Sequence, residues 1–82
     1  MAINNPRSLS VIAKDIRKDW KKVNFAAVPY LDAMETLDKV TDKFYADDGQ
    51  YIVAYFLGNA TSWRGDVAKA IKKELNQMIG NK

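Results

Sequence analysis

The chain has 82 residues, 48% of them apolar, which is enough for one packed domain and argues against disorder. Its net charge of +3 is a small excess for a protein that lives mainly by phosphate contacts. It contains neither histidine nor cysteine, which removes the commonest general base, thiol nucleophiles, disulfides and most transition-metal sites.

The first helical pattern is the stripe Leu9, Ile12, Ile16, Trp20 and Val23, with Ala13 beside it. Asn5-Pro6 reads as an N-cap followed by proline at the first helical position, which predicts a helix over 6–22. Val23 to Val28 then forms a short apolar connector, with Phe25 and Val28 expected in the core. Pro29 opens a second helix over 29–41, with Tyr30, Ala33, Met34, Leu37 and Val40 on one face. Asp47-Asp48-Gly49 interrupts the pattern, and Asp47 with Gln50 has capping-box spacing at the start of a third helix, 48–57.

That third segment, Tyr51 to Leu57, is apolar nearly all round and rich in β-branched and aromatic residues. A helix is preferred to a strand because a helix-start signal precedes it and an isolated strand has no partner. It is expected to be the most buried helix, closed by Gly58 in a left-handed conformation. Thr61 or Ser62 caps a fourth helix, 62–79, whose stripe is Trp63, Val67, Ala70, Ile71, Leu75, Met78 and Ile79 and which Gly80 stops. The expectation is an all-α fold, a compact bundle of about four helices, with a flexible stretch at 1–5 and frayed residues at 80–82. The longest uncharged apolar run, Tyr51 to Gly58, falls far short of the roughly 20 residues of a membrane span. Met1 to Pro6 has no apolar core of a secretory signal, so a cytoplasmic setting is expected.

Charge is unevenly shared. Residues 1–22 carry Arg7, Lys14, Arg17, Lys18, Lys21 and Lys22 against Asp15 and Asp19. The middle is acidic, with Asp32, Glu35, Asp38, Asp42, Asp47 and Asp48 against Lys39 and Lys43. The last helix is basic again, through Arg64, Lys69, Lys72 and Lys73. Lys14, Arg17, Lys18, Lys21 and Lys22, extended by Lys69, Lys72 and Lys73, are candidate nucleic-acid contacts if the terminal helices lie side by side. Solvated helix faces explain the same residues without a ligand.

No catalytic constellation, cofactor loop or metal-ligand spacing emerges. Asp42, Asp47 and Asp48 are clustered, but Phe44, Tyr45 and Ala46 break the alternation of a calcium loop, and turn duty explains them. Arg64-Gly65-Asp66 spells an adhesion tripeptide but is expected within a helix. A helix-turn-helix across the third and fourth helices has the right spacing at Ala54, Gly58 and Val67. It sets Arg64 where an aliphatic residue belongs, and Gly65 weakens the recognition helix. Trp63 and Arg64 are the candidate partner contact, since both residue types favour hot spots, although a tryptophan on an apolar stripe also suits the core.

Four segments together resemble a family of small proteins of uncharacterised activity encoded by phages, prophages and other mobile elements of mainly Gram-positive bacteria. They are Ile12-Ala13-Lys14-Asp15-Ile16-Arg17-Lys18-Asp19-Trp20, Val28-Pro29-Tyr30-Leu31-Asp32-Ala33-Met34, Tyr55-Phe56-Leu57-Gly58-Asn59-Ala60 and Trp63-Arg64-Gly65. The resemblance implies a bacterial cytoplasmic setting and a non-catalytic accessory role, and brings no ligand or site. Together these readings favour a protein–protein interaction module that is not an enzyme, with a nucleic-acid-binding accessory protein as the alternative. Neither a cofactor nor a membrane partner is expected.

Overall fold

The first helix, α1 (Leu9–Asp19), begins where the chain first closes its backbone bonds. Ser8 is extended, and its hydroxyl accepts from the Ser10 N–H. The Leu9 and Ser10 N–H groups are further satisfied by the carbonyls of Asp38 and Leu37, each at 3.0 Å. The structure, a computed structural model, describes residues 7–80. The expected Asn5-Pro6 cap and the stretches 1–5 and 81–82 lie outside the described residues. Within them, the start moves from 6 to Leu9, because Ser8 takes the capping role. Trp20 leaves helical geometry to bury its ring, so the helix stops at Asp19, short of 22, and Lys21 and Lys22 fall in a bend.

Asn24 then caps a 3₁₀ turn, Phe25–Ala27, accepting from the Ala26 N–H, while its Nδ2 donates to the Asn59 carbonyl at 2.9 Å. This turn buries Ala27 and points Phe25 outward, 90% exposed, which corrects its assignment to the core; Val28 is half-buried. The second helix, α2 (Val28–Met34), starts around Pro29 and buries Leu31, Ala33 and Met34. It ends at Met34 and not 41. The Thr36 N–H and hydroxyl both bond the Ala33 carbonyl, tightening the last turn, and the Asp42 carboxylate gathers the N–H groups of Asp38 and Lys39. Leu37 stays buried from this turn.

Two short antiparallel strands follow, β1 (Lys43–Phe44) and β2 (Asp47–Asp48), paired Lys43 to Asp48 and Phe44 to Asp47. Tyr45 at the hairpin tip has φ 58, a left-handed conformation that costs a bulky residue about 1–2 kcal/mol. The third helix, α3 (Gly49–Gly58), forms as expected but without the capping box. Asp47 is in a strand, Asp48 is the N-cap without a side-chain bond, and carbonyls of Asp42 and Val40 satisfy the Gly49 and Gln50 N–H groups. Only one face of α3 is buried, through Ile52, Val53 and Phe56; Tyr51, Ala54, Tyr55 and Gly58 are exposed, so it is not buried all round. Gly58 has no left-handed φ: Asn59 is the C-cap, and its side chain bonds back to the Tyr55 carbonyl.

The fourth helix, α4 (Asp66–Met78), starts later than expected because Gly65, at φ 113, is its N-cap in place of Thr61 or Ser62. Its buried stripe is Ala68, Ile71 and Leu75; Val67 is 45% exposed and Ala70 is exposed. The rotation follows from Trp63, which enters the core from the preceding loop and does not continue the helical stripe. Gly80, at φ 71, ends the run as expected. The four helices and the small hairpin form one mainly helical domain. One buried cluster joins Leu9, Ile12 and Ile16 to Leu31, Met34, Phe56 and Leu75. Among the described residues no helix is long and apolar enough to cross a membrane.

A candidate partner groove at the basic end

The chain path gathers charge by ends. At one end, the start of α1 meets the 37–38 turn, α3 begins beside Val40, and the Gln50 side chain reaches the Ile79 carbonyl. That end holds Asp38, Asp42, Asp47 and Asp48, with Lys39 and Lys43. At the other end, Trp20 stacks on Trp63, and Asn24 bonds Asn59. Lys21, Lys22, Phe25 and Arg64 sit there, with the first turns of α4. The acids between 38 and 48 thus gather at one end and Lys21, Lys22 and Arg64 at the other, while Arg7, on Glu74, and Arg17, on Asp32 and Glu35, lie outside that basic cluster.

Trp63, read from sequence as a partner contact, is 2% exposed and packs in the core, meeting the surface as a lining residue of a groove. It stacks on Trp20 with centroids 5.7 Å apart and planes 11° from parallel, while Phe56 meets both rings edge-on. Its Nε1–H donates to Asp19 at 2.8 Å, so the burial leaves no unpaired donor. The Lys72 ammonium donates to the Trp63 carbonyl at 2.6 Å and lies 5.8 Å from the ring centroid. Desolvation, and then the Arg64 charge, lower the pKa of Lys72.

Over this covered tryptophan lies a shallow groove of about 280 Å³, lined by Trp63, Arg64, Gly65, Ala68, Lys69 and Lys72. Trp63 and Ala68 form the floor. Arg64, Lys69 and Lys72 bring three cationic side chains with aliphatic stems to the lining, of which the Lys72 ammonium is held on the Trp63 carbonyl, and no carboxylate is in the lining. Arg64 is exposed, in keeping with a partner contact. The groove therefore unites both residues read from sequence as a partner contact, Trp63 and Arg64, with two read as nucleic-acid contacts, Lys69 and Lys72.

The remaining basic residues are divided. Arg17 is bonded to Asp32 of α2 and to Glu35, the C-cap of that helix. The seam between α1 and α4 carries acids: Asp15 and Glu74 are bridged by Arg7 at 2.5, 2.8 and 3.0 Å, and Asp19 is held by Trp63. Both carboxylates hold the Arg7 guanidinium firmly protonated, Glu74 the more strongly. Lys14, Lys18, Lys21, Lys22, Lys69 and Lys73 are exposed, and the acids Asp15, Asp19 and Glu74 are interleaved with them along α1 and α4. The helix-turn-helix reading fails because Val67 points to solvent and residues 59–65 separate the helices. Arg64-Gly65-Asp66 spans the loop and the first residue of α4, outside the helical turn expected for it. The Asp42 carboxylate serves the turn at Asp38 and Lys39.

Sequence reasoning missed two exposed aromatic features. Phe25 is exposed three residues after Lys22, and Asn24, a good turn-capping residue, was the available signal. Tyr45 is 89% exposed at the hairpin tip, edge-on to Phe44 at 4.7 Å, and no periodic pattern announces it. No family model, no curated protein and no solved structure matches this chain.

Proposed function

We propose that the chain is a non-enzymatic interaction module that receives an acidic segment of a partner protein in the groove at the start of α4. The observation that carries this reading is the groove's composition: Trp63 and Ala68 with the cationic side chains of Arg64, Lys69 and Lys72, and no carboxylate. Arginine at a partly desolvated apolar site is a favoured binding anchor. The resemblance to small phage and mobile-element proteins agrees with an accessory role in a bacterial cytoplasm.

The test is calorimetric titration with a peptide rich in Asp, Glu and an aromatic residue, compared with a single-stranded oligonucleotide. The peptide is expected to bind, with affinity falling at least about tenfold, or 1.4 kcal/mol, in Arg64→Glu and in Lys69→Glu. Unchanged affinity in both variants overturns the reading. The nucleic-acid alternative draws on Phe25, exposed three residues after Lys22 as a stacking platform would be. It replaces the first reading if the oligonucleotide binds more tightly, steeply with falling salt, and loses affinity in Phe25→Ala and Lys21→Glu.

A further inference from the structure

We infer that the groove at the basic pole of one copy takes the hairpin tip of a second copy, Tyr45-Ala46-Asp47, joining molecules head to tail. This rests on the groove being a binding site, as proposed above, and names one occupant for it.

The hairpin tip presents the chemistry the groove fits. Tyr45 is 89% exposed and held in a left-handed conformation, φ 58, that an aromatic residue rarely adopts. Its ring leans edge-on against half-buried Phe44, so it is fixed outward. Asp47 stands exposed two residues on, while Asp48 faces Lys43 at 3.8 Å. One aromatic ring with one free carboxylate beside it matches a groove lined by Trp63, Ala68 and the cationic side chains of Arg64, Lys69 and Lys72. The backbone of this turn does not call for a tyrosine, since glycine adopts the same φ without strain.

Placement makes the contact intermolecular. The hairpin leads into α3, whose Gln50 reaches Ile79 at the far end of α4, whereas the groove surrounds the first turns of α4. The stretch of α4 from Lys72, the last residue of the groove lining, to Ile79, about 10 Å of helix, lies between the groove and the end where the hairpin joins α3. A chain cannot fold its own hairpin into its own groove. Each copy then carries one donor and one acceptor, so the contact is heterologous and propagates unless a ring closes. The opposed charge of the two poles aligns copies in this sense, and salt weakens the association.

The test is sedimentation equilibrium of the intact chain at low salt over a wide concentration range. The average mass is expected to rise above the 9.3 kDa of one chain with concentration, without levelling at a dimer, and to return to 9.3 kDa in molar salt. Tyr45→Gly with Asp47→Lys removes the tip, and Arg64→Glu with Lys69→Glu removes the groove. Each variant alone is expected to lose at least tenfold in association while keeping its circular dichroism. Mixed, they retain one intact groove and one intact tip, and a capped pair of twice 9.3 kDa should appear. A wild-type mass of 9.3 kDa at millimolar concentration overturns the inference, as do variants that associate like wild type or a mixture that stays monomeric. An acidic peptide that still binds a monomeric chain leaves the proposed function standing while this inference falls.

Discussion

Trp63 and Phe25 are both large aromatics in loops, and the fold uses them in opposite ways. Trp63 stacks, donates and carries a lysine on its carbonyl, all at 2% exposure. Trp63→Ala is expected to destabilise the chain by about 3–5 kcal/mol in urea unfolding, whereas Phe25→Ser should stay within about 0.5 kcal/mol. Sequence reasoning set Phe25 in the core and Trp63 at a partner contact that also suited the core, since the direction of a loop side chain is set by local backbone bonds that apolar periodicity does not encode. Asn24 holds the turn that excludes Phe25.

Lys72 adds a pH dependence. Burial and Arg64 lower its pKa in the folded chain, so it loses its proton earlier than in the unfolded chain, where about 10.4 is usual. Between those two values rising pH favours the folded state, because the desolvated charge disappears. Anion binding in the groove runs the other way and should weaken as pH climbs through the lowered pKa. Lys72→Arg, charged throughout, is expected to flatten that dependence in peptide titrations between neutral and alkaline pH.

At the scale of elements, three glycines separate local need from chance. Gly58 lies in α3 with no neighbour within 4 Å of an added Cβ and without a positive φ. Gly58→Ala should stabilise the chain by about 0.5–1 kcal/mol. Gly65→Ala should destabilise by about 1–2 kcal/mol, because φ 113 is strained for any side chain. Gly49→Ala should also destabilise, since its Cβ would meet backbone atoms of Lys39 and Val40 at 3.0 Å. Thermal melts of the three variants check the ordering.

The stripes Leu9–Ile12–Ile16 and Ile71–Leu75 were legible in the sequence, because buried faces impose a 3.6-residue period. The boundaries were less so. α1 starts late because tertiary carbonyls and Ser8 satisfy its first N–H groups, and α2 stops early because Thr36 and Asp42 supply a competing turn. These partners are distant in sequence or short-range side-chain bonds, invisible to periodicity.

At the scale of the molecule, one continuous core links every helix, so unfolding should be a single cooperative event. Tryptophan emission and far-ultraviolet circular dichroism are expected to give coincident urea transitions; separated midpoints would show that the hairpin or a helix melts alone. The charge asymmetry was legible along the chain, but its arrangement into poles was not. That depends on α1 and α4 running antiparallel, which brings the end of one to the start of the other.

The chain has two tryptophans, and the fold lays them face to face at 5.7 Å. Rings that close share their electronic excitations, so the pair should give a bisignate exciton band in circular dichroism that Trp20→Phe abolishes. Because Trp63 floors the groove while Trp20 belongs to α1, the molecule carries an intrinsic optical gauge. It reads the seating of the loop before α4 against α1 and, through the shared ring, the arrival of a guest above it, without an added label.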